Sequence, residues 1–576
     1  MTIPSTQFHT YICTSKIGIM QKQIIECVPN FSEGVDMNII KQITDEIEKV
    51  EGVKLLDVDP GKATNRTVVT FVGEPQPVID AAFLAIKKAG ELIDMTKHKG
   101  EHPRMGATDV CPLIPIAEIT MEETVEYAKE LGKRVGEELN IPVYLYEAAA
   151  QKEDRKNLAT IRAGEYEGFG DKIKDANWLP DFGEAIFNEK SGATVIGARD
   201  FLVAYNVNLN TTSTRRANSV AFDLRENGRV KEENGKKVLD ANGVEVREPG
   251  LLKSVKAIGW YIEEYGIAQI SMNLTNISIT PLHMAFDTAV DRAHARGMRV
   301  TGSELVGLVP LKSILDAGKY FLAKQKRSVG ISEDEIIKIA VKSMGLDELT
   351  PFDPKKKIIE YVMQDQSSKK LIDMNLVAFA NETASESPAP GGGSISAYVG
   401  ALGASLATMV ANLSSHKKGW DDQWEYFSMY AEKGQVIKDE LLKLVDEDTN
   451  AFNKIMNAFG LPKNSDEEKQ TRSKAIQDAT LYATQIPLKT MQVCFSGYDI
   501  AQAMVEKGNP NSVTDAGIGA LCIRTAIYGA YLNVKINASG LKDKIIADAM
   551  VLEATEILDK SNAKEQEIMI ATLARM

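Results

Sequence analysis

The stretch Leu349-Thr350-Pro351-Phe352-Asp353-Pro354-Lys355-Lys356-Lys357 divides the chain into two parts of different periodicity. Its prolines and charges are typical of a linker. Before it, short apolar runs alternate with segments of helical spacing, which predicts strands and helices in turn. After it, strand patterns cease and long helical segments continue to Met576. This stretch therefore separates an α/β region from an all-helical region.

The α/β region contains two successive patterns of similar plan. The first has the order βαββαβαβ, with strands at 23–28, 53–58, 67–72, 112–116 and 142–146 and helices at 36–50, 78–93 and 122–139. The second has the order βαββαβα, with strands at 201–209, 254–262, 267–274 and 298–301 and helices at 213–225, 282–295 and 311–322. This alternation predicts two α/β subdomains, ferredoxin-like and of βαββαβ type. A cleft between two such halves is a usual place for a ligand.

The helical region predicts an all-α bundle. Its predicted helices cover 371–383, 394–414, 424–459, 466–493, 498–505, 512–537 and 542–573. The chain is thus predicted to be multidomain: an N-terminal extension (1–20), two α/β subdomains (21–200 and 201–346), a linker (347–357) and the helical bundle (358–576). The opening residues lack the apolar core of a signal peptide, and Met20 directly precedes the first strand-like run. They are therefore either an upstream extension or the product of a misplaced start, and we expect them to be weakly ordered. Residues 227–250 are polar and indicate a surface insertion.

Composition excludes several classes of function. The formal net charge of -13 argues against a nucleic-acid binder, although it leaves room for a local basic pocket. The cysteines are scattered and form no CxxC pair, which indicates neither zinc nor a redox motif and suits a reducing cytoplasm. No apolar run approaches about 18 residues, so we expect no membrane span. The sequence therefore predicts a cytoplasmic protein.

An irregular stretch within the first α/β pattern is a candidate active site. It reads Lys97-His98-Lys99-Gly100-Glu101-His102-Pro103-Arg104-Met105-Gly106-Ala107-Thr108-Asp109 and has no apolar period. The spacing of His98 and His102 would suit a metal on a helix, but Gly100 and Pro103 disfavour a helix there, and no metal is expected. Two interpretations remain: a solvated loop, or a general acid–base histidine with cations that bind an anion.

Three further loops carry candidate groups, each with a purely structural alternative. Asp59 and Arg66 lie at the ends of predicted strands, where Asp-Pro-Gly could equally serve as a turn. The Gly-rich segment 183–192 joins the two α/β halves and could contact a planar ligand or act only as a connector. A third segment, Gly391-Gly392-Gly393-Ser394, leads into an apolar helix, where free N–H groups could bind an anion and Ser394 could be an N-cap.

Asp448 interrupts an apolar pattern in the helical region. The stripe steps by four and three residues through Leu441, Val445, Asp448, Phe452, Ile455 and Phe459. A carboxylate on a buried stripe is costly unless paired, and desolvation raises its pKa. Asp448 is therefore either a general acid or a buried polar residue that sets helix register.

These stretches together resemble the bifunctional formimidoyltransferase–cyclodeaminase family of histidine breakdown, over nearly the whole chain after residue 20. The motifs that carry the resemblance in the first 310 residues are Glu26-Cys-Val-Pro-Asn-Phe-Ser-Glu-Gly34, Leu56-Asp-Val-Asp59, Thr64-Asn-Arg66, Lys97 to Met105, Ile161-Arg-Ala-Gly-Glu-Tyr166 and Leu305-Val-Gly-Leu-Val-Pro310. In the last third they are Ala389-Pro-Gly-Gly-Gly-Ser394, Leu444-Val-Asp-Glu-Asp448, Ala451-Phe452 and Leu461-Pro-Lys463.

The resemblance implies two consecutive reactions. The first transfers the formimidoyl group of N-formimidoyl-L-glutamate to N5 of tetrahydrofolate. The second cyclises 5-formimidoyltetrahydrofolate to 5,10-methenyltetrahydrofolate and releases ammonia. It further implies a polyglutamylated tetrahydrofolate co-substrate, no metal, no nucleic-acid partner, and a homo-oligomer, with an octamer as the family's form.

The resemblance also implies roles for individual residues. His102 matches the catalytic histidine of the transferase, and Asp448 matches the acid of the cyclodeaminase. We expect Asp59 to orient His102 and Arg66 to hold a substrate carboxylate. The expected folate-binding residues are Gly183, Glu184, Ala185, Ile186, Phe187, Asn188, Glu189, Lys190, Ser191, Gly192, Asp223, Gly391, Gly392, Gly393 and Ser394.

Three alternatives stay open at this point. The chain could retain one activity while its other domain is structural, or it could bind folate without catalysis. The helical domain could also act as a cyclohydrolase on methenyl-folate. The presence of both His102 and Asp448 favours an enzyme over a non-catalytic folate-binding protein.

Overall fold

The computed structural model of the chain describes residues 23–61, 65–100, 103–233, 236–240, 242–363 and 370–576. The predicted extension (1–20) and the predicted catalytic histidine, His102, lie outside the described residues. The strands are β1 (Ile24–Cys27), β2 (Asn30–Phe31), β3 (Val53–Gly61), β4 (Arg66–Gly73), β5 (Thr108–Ala117), β6 (Val143–Glu147), β7 (Thr194–Ala198), β8 (Val203–Leu209), β9 (Arg229–Val230), β10 (Glu232–Glu233), β11 (Lys236–Lys237), β12 (Arg247–Glu248), β13 (Val255–Ile262), β14 (Ile267–Leu274) and β15 (Val300–Val306).

The helices fall into two groups along the chain. Those of the α/β region are α1 (Met37–Glu48), α2 (Pro75–Leu92), α3 (Met121–Leu139), α4 (Leu158–Arg162), α5 (Glu165–Lys172), α6 (Thr214–Leu224), α7 (Leu282–His294), α8 (Leu311–Lys324) and α9 (Glu333–Met344). Those that follow are α10 (Pro354–Lys357), α11 (Ile359–Met363), α12 (Leu376–Thr383), α13 (Gly392–Ser415), α14 (Trp424–Gly460), α15 (Asp466–Lys507), α16 (Val513–Ser539) and α17 (Lys544–Arg575).

The first half of the α/β region forms a seven-stranded mixed sheet. The short strands β1 and β2 both pair with β4 on one side and β5 on the other, and β3 pairs with the far side of β4. β7 then pairs in parallel with both β5 and β6. The sequence missed β2, β7, α4 and α5, because elements of two to eight residues carry too little periodicity to be recognised.

The second half repeats the βαββαβ plan with β8, α6, β13, β14, α7 and β15. Its four strands lie in the antiparallel order β13-β14-β8-β15, which places the first and third strands of the unit side by side. The corresponding strands of the first half follow the same spatial order, β3-β4-β1-β5. The predicted class, two ferredoxin-like subdomains followed by a helical bundle, is confirmed.

The helical region differs from its prediction in one long helix. Residues 466–507 form the single helix α15, although the sequence predicted two helices with a break after residue 493. A capping box of Ser465 and Glu468 fixes its start, and Pro487 is buried within it. Tertiary packing against α13, α14, α16 and α17 offsets the hydrogen bond that the proline cannot donate.

Among the described residues, one helix, α13, is long and apolar enough to cross a membrane by length and composition. Of its most apolar window, 61% is buried inside the bundle. It packs against α14, α15 and α16, and the core helix of a bundle passes the same test. This helix is therefore weak evidence for a membrane span.

Contacts divide the chain into two compact units that interleave in sequence. Of the described residues, those within 1–313 and 344–364 form the first unit, and those within 314–343 and 365–576 form the second. Most of α8 and nearly all of α9 therefore belong with the helical unit, while α10, in the predicted linker, belongs with the α/β unit. The linear domain boundaries stay a prediction, because this division follows contacts rather than chain order.

Candidate active sites

The stretch 97–109, called the histidine loop below, is tied to neighbouring segments by defined side-chain contacts. Arg104 donates from Nε to His98 Nδ1 at 3.2 Å, and His98 Nε2 lies 2.9 Å from the carbonyl oxygen of Asn65. Because a guanidinium can only donate, Nδ1 accepts and Nε2 carries the proton. Both ring nitrogens of His98 are thus engaged with protein atoms, which assigns His98 a structural role rather than metal binding.

Arg104 is the anchor of this loop. It is 6% exposed, and its two terminal nitrogens donate to both carboxylate oxygens of Glu167 at 2.9 and 2.7 Å. A third contact joins it to Glu165 at 3.1 Å. The ion pair raises the pKa of Arg104 and lowers the pKa of Glu167. A bidentate pair of this kind fixes geometry as well as charge, so the loop is held against α5.

Arg66, Asp109 and Arg162 form a second charged cluster beside the loop. Arg162 forms an ion pair with Asp109, whose Oδ1 also accepts from the backbone N–H of Met105 at 3.0 Å. Burial lowers the pKa of Arg66, Asp109 raises it, and Arg162 lowers it further. The cluster therefore brings two guanidinium groups and one carboxylate together beside the histidine loop. Sequence reasoning placed Arg162 in a motif but did not recognise it as a site residue.

The segment 183–192 lies directly against the histidine loop. The N–H of Ala107 donates to the carbonyl of Ser191 at 2.8 Å, and the N–H of Ala193 donates to the carbonyl of Met105 at 3.1 Å. Gly192 has φ +68°, and a Cβ there would lie 2.1 Å from the carbonyl oxygen of Met105. Only glycine permits this approach. The structure thus brings together two stretches that the sequence could only name separately.

The interior of segment 183–192 is partly anchored and partly exposed. Phe187 packs against Tyr166 and Phe169, with ring centroids at 5.5 and 5.8 Å. Asn188 accepts from the N–H of Ser191 at 3.0 Å, and Lys190 Nζ donates to the carbonyl of Glu91 at 2.7 Å. The remaining side chains between the two glycines are exposed: Glu184, Ala185, Ile186 and Glu189. Individual contacts of these residues with a folate stay predictions.

Asp59 and Asp223 are not joined to this centre by contacts among the described residues. Asp59 lies on β3 with an exposed side chain. Asp223 lies in α6 of the second half and forms ion pairs with Arg229 and Arg296, one through each carboxylate oxygen. Sequence position alone could not reveal these partners. The predicted roles of Asp59 toward His102 and of Asp223 toward folate stay predictions.

A cavity of about 520 Å³ lies between the two halves of the α/β unit. Strands β1, β3 and β4 line one side, and strands β8 and β15 line the other, so the expected cleft is present. Buried Glu26 is in its lining, and desolvation, opposed by Arg199, raises the pKa of Glu26 to about 7. The charged lining is mixed: Arg199, Lys356 and Lys357 are cations, and Glu26 and Asp57 are acids.

The second centre is built around Asp448 of α14. Its Oδ2 accepts from the backbone N–H of Ser394 at 2.8 Å and from Ser394 Oγ at 3.0 Å. Ser394 lies in the first turn of α13, so the carboxyl group faces a helix N-terminus. Desolvation raises the pKa of Asp448, and the two bonds from Ser394 lower it by less. The expectation that Asp448 is desolvated is therefore met.

Glycine is required where α13 meets Asp448. A Cβ on Gly393 would lie 2.1 Å from Asp448 Oδ1 and 2.5 Å from its Cγ. The nearest atom to a Cβ on Gly391 is 3.9 Å away, and on Gly392 it is 3.4 Å away, an Asn533 nitrogen. Within this Gly-rich turn, Gly393 alone is demanded by close approach to the carboxyl group. Ser394 is not the N-cap of α13, since Gly391 holds that position.

The predicted apolar stripe on α14 is buried over only part of its length. Leu441 and Val445 are fully buried, whereas Phe452 and Phe459 are 38% and 49% exposed. The expectation of a continuous buried stripe is therefore wrong for this single chain, because its neighbouring helices leave the last turns of α14 uncovered. A pattern of apolar residues that steps by four and three identifies the apolar face of a helix. Tertiary packing decides how much of that face is covered.

The acids that precede Asp448 also have partners. Asp446 Oδ1 accepts from the backbone N–H of Leu371 at 2.7 Å, and burial raises its pKa. Glu447 accepts from the hydroxyl of Tyr482, and Lys454 Nζ lies 3.7 Å from the centroid of the Tyr482 ring. Three consecutive carboxyl groups thus contact three different segments, and only Asp448 faces the Gly-rich turn.

The described residues contain no group of three or more histidine, cysteine, aspartate or glutamate side chains positioned to hold a metal ion. The centre of the α/β unit consists of charged side chains beside segment 183–192. The centre of the helical unit consists of the desolvated Asp448 beside the turn 391–394. This arrangement defines the class of the protein as an enzyme with two separate centres.

Comparisons with known proteins agree with this division. Three family models match the chain: the formiminotransferase domain, N-terminal subdomain, over residues 24–199; the formiminotransferase domain over 204–364; and formiminotransferase-cyclodeaminase over 375–556. The formimidoyltransferase-cyclodeaminase of Rattus norvegicus is 42% identical over 554 residues, which cover 96% of this chain and 99% of the rat protein.

Two single-function relatives match parts of the chain. The glutamate formimidoyltransferase of Thermoplasma acidophilum is 45% identical over 301 residues, 52% of this chain and 92% of that protein. The methenyltetrahydrofolate cyclohydrolase of Methylorubrum extorquens is 38% identical over 190 residues, 33% of this chain and 91% of that protein. The chain belongs to the formimidoyltransferase-cyclodeaminase family. It is a bifunctional folate enzyme, a transferase and a lyase, as the sequence predicted.

Proposed function

We propose that each unit performs one of two consecutive reactions on the same folate. The α/β unit transfers the formimidoyl group of N-formimidoyl-L-glutamate to N5 of tetrahydrofolate. The helical unit closes the ring onto N10, which yields 5,10-methenyltetrahydrofolate and ammonia. The observation that carries this proposal is the presence of one polar centre in each unit, the charged loops beside 183–192 and the desolvated Asp448.

In the transfer, N5 must lose a proton and the departing glutamate amine must gain one. A single histidine can do both, first as base and then as acid, and His102 has this role. Arg66 holds a substrate carboxylate, and Asp59 orients His102. The proximity of Arg66 to Asp109 and Arg162, beside the histidine loop, supports the assignment of Arg66. Segment 183–192 and Asp223 contact the folate.

In the cyclisation, the amino group of the formimidoyl carbon leaves readily only after its nitrogen gains a proton, so that it departs as ammonia. Asp448 supplies that proton, and burial keeps it protonated to a higher pH than an ordinary aspartate. Since Oδ2 already accepts two bonds from Ser394, the transferable proton resides on Oδ1, the oxygen next to Gly393. The turn Gly391–Ser394 then holds the folate beside this oxygen.

The folate that serves both units is polyglutamylated in this proposal. Lys190, and Arg199 in the lining of the cavity between the α/β halves, are candidate contacts for glutamyl carboxylates. A charged tail would keep the intermediate attached between the two reactions. No metal takes part in either reaction.

We also propose that the chain is a homo-oligomer, with an octamer as the form that the resemblance implies. Helix α16 supports this with apolar side chains that are exposed in the single chain and lie at helical spacings of three, seven, four and four residues: Ile518, Leu521, Tyr528, Leu532 and Ile536. Exposed stripes of this length mark interaction surfaces. Light scattering of the purified protein measures the mass, and a monomer at micromolar concentration would contradict the proposal.

The protein is proposed to be cytoplasmic. Its described cysteines are free thiols, and three of them, Cys27, Cys111 and Cys494, are buried. Free thiols persist where the surroundings are reducing. Fractionation of cells tests this location, and recovery of the protein in a membrane or secreted fraction would contradict it.

A coupled assay tests the two reactions. The protein is mixed with tetrahydrofolate and N-formimidoyl-L-glutamate, and methenyl-folate absorbance and ammonia are followed together. We expect both products in equal amounts, with activity retained after exhaustive chelation. Transfer without ammonia release would show that the helical unit is inactive.

The cyclohydrolase relative supports one second candidate, hydrolysis of methenyl-folate by the helical unit. Methenyl-folate supplied alone distinguishes the two activities. Decay of its absorbance above the uncatalysed rate would indicate a cyclohydrolase, whereas formation of methenyl-folate with ammonia from 5-formimidoyltetrahydrofolate indicates a cyclodeaminase.

A further inference from the structure

The Gly-rich turn 391–394 has a second polar neighbour besides Asp448, the side-chain amide of Asn533 in α16. A Cβ on Gly392 would lie 3.4 Å from Asn533 Nδ2 and 3.8 Å from Asn533 Oδ1. A Cβ on the next residue, Gly393, would lie 2.1 Å from Asp448 Oδ1. The acid and the amide therefore flank consecutive residues of one helical turn, the acid from α14 and the amide from α16.

Close packing of α13 against α16 fixes the position of this amide. Ser396 Oγ donates to the carbonyl of Gly392 at 2.7 Å, and a Cβ on Gly529 would lie 2.3 Å from Ser396 Oγ. Glycine at position 529 therefore lets α16 approach the first turn of α13. Asn533 lies four residues after Gly529 and so on the same face of α16, which places its amide beside the Gly-rich turn.

The hydrogen bonding of Asn533 leaves its amide oxygen available. Asn533 Nδ2 donates to the carbonyl of Gly529 at 2.9 Å. Because a carbonyl oxygen can only accept, the nitrogen of the amide must be the atom that faces Gly529. Oδ1 is then the atom that can accept from a ligand, and no donor among the described residues contacts it.

The turn is open to solvent beside this amide. Gly392 is exposed, whereas Gly393, next to Asp448, is buried. A Cβ on Gly391 would meet nothing nearer than 3.9 Å. A small group of a bound substrate can therefore lie over residues 391–392, beside the amide oxygen of Asn533, while it reaches Asp448.

Neighbouring polar side chains have partners in other elements. Ser394 Oγ donates to the carbonyl of Val445 at 2.9 Å, which joins α13 to α14. Asn537 lies one turn after Asn533 on the same face of α16, and its Nδ2 donates to the carbonyl of Ala483 at 2.7 Å, which joins α16 to α15. The amide of Asn533 instead bonds within its own helix. Its hydrogen bond therefore joins no two helices, in contrast to that of Asn537.

The substrate of the proposed cyclisation carries a group that an amide oxygen can recognise. A formimidoyl group differs from a formyl group in one position, where NH replaces the carbonyl oxygen. The NH donates a hydrogen bond, whereas the carbonyl oxygen only accepts. Asp448, as a proton donor, can donate to either atom and so does not distinguish them. The oxygen of an amide accepts from NH and has no partner in a carbonyl oxygen.

We propose that Asn533 selects the formimidoyl group at the cyclodeaminase centre, because its Oδ1 accepts a hydrogen bond from the N–H of that group. This role rests on the proposed function of the helical unit and adds to it the specificity for nitrogen over oxygen. The amide takes no proton in the reaction. It holds the departing nitrogen beside Asp448, which donates the proton.

The test uses the full chain with 5-formimidoyltetrahydrofolate as substrate and 5-formyltetrahydrofolate as competitor. Selectivity is the ratio of the inhibition constant of the formyl compound to the KM of the substrate. We expect Asn533→Ala to reduce this ratio about tenfold, since one hydrogen bond to the N–H is lost. Asn537→Ala is the matched control, because it removes the bond to Ala483 and should keep the ratio of the unaltered chain.

A conservative variant separates contact with the substrate from support of the helix. Asn533→Asp keeps an acceptor oxygen but loses the N–H that bonds to Gly529. We expect it to keep the ratio of the unaltered chain, whereas a purely structural role of Asn533 predicts the same loss as in Asn533→Ala. Circular dichroism establishes that the variants are folded. Asn533→Leu, which preserves the volume of the side chain, replaces an unfolded Asn533→Ala with the same expected loss.

Two results would overturn the proposal: an unchanged ratio in the folded variant without an acceptor, or an equal loss in Asn533→Asp. A failure of the unaltered chain to release ammonia from 5-formimidoyltetrahydrofolate would instead contradict the proposed function of the helical unit. The selectivity ratio and the release of ammonia are separate measurements, so the two failures are distinguishable.

Discussion

The two centres of this chain differ in how their charged side chains are surrounded: those of the α/β unit are paired with opposite charges, and that of the helical unit is desolvated. In the α/β unit, charged side chains from distant segments meet and pair, as Arg104 does with Glu167 and Arg162 with Asp109. In the helical unit, one carboxyl group is desolvated against a helix N-terminus, and its hydrogen-bond partner among the described residues is Ser394. In the proposed function, the first arrangement stabilises charge for substrate binding, and the second keeps Asp448 protonated so that it can donate a proton. Different folds thus supply the two steps with different electrostatics.

The largest expected effect comes from removing the acid–base group of one centre at a time. His102→Ala should reduce the transfer about a thousandfold and leave cyclisation of supplied 5-formimidoyltetrahydrofolate, since general acid–base catalysis contributes about 10² to 10⁴ in rate. Asp448→Asn should reduce cyclisation by a similar factor and leave the transfer. The two rates are measured separately, and loss of both activities in either variant would break the comparison between independent centres.

A smaller effect is expected from the close approach of α13 to Asp448. Gly393→Ala places a Cβ about where Asp448 Oδ1 lies, so the carboxyl group must move, and cyclisation should fall about thirtyfold. Gly391→Ala is the matched control, because its Cβ meets nothing nearer than 3.9 Å. Circular dichroism establishes that both variants are folded. Equal activity of the two would show that the position of Asp448 is not critical.

The anchor of the histidine loop should contribute about tenfold to the transfer. Arg104→Lys keeps the charge but cannot form both bonds to Glu167, so the loop loses its fixed geometry. Arg134→Lys is the control, since Arg134 pairs with Asp80 on the surface of α3 and α2. Transfer and cyclisation are assayed for both variants. A loss of cyclisation equal to the loss of transfer would indicate general destabilisation instead of a local effect.

The smallest effect is a change in pH dependence at the second centre. The side-chain bond from Ser394 lowers the pKa of Asp448, so Ser394→Ala should raise that pKa further. Because the protonated form is the acid, cyclisation falls as pH rises through this pKa, and the alkaline limb of its rate profile should move to higher pH. The transfer profile of the same variant should not move. A shift of the cyclisation limb to lower pH would contradict the role of Asp448 as the proton donor.

Much of the fold could be predicted from periodicity. The βαββαβ plan of both α/β halves and the change to helices after residue 357 follow from patterns of two and 3.6 residues. Short strands such as β2 and the continuity of α15 through Pro487 could not be predicted, because local propensity opposes or barely indicates them. Packing against neighbouring elements decided those cases.

The candidate sites also include features that periodicity reveals and features that only packing decides. The sequence by itself identified the histidine loop, segment 183–192, the Gly-rich turn and Asp448, since each interrupts the hydrophobic periodicity of the residues around it. Only the tertiary structure decided that Arg104 pairs with Glu167, that Ser191 lies against Ala107, and that Asp448 faces Ser394 across 54 residues of chain. The physical reason is that periodicity in the sequence identifies the apolar face of each helix or strand, which is the face that becomes buried. The hydrogen-bond partners of buried polar groups depend instead on which segments the fold brings into contact.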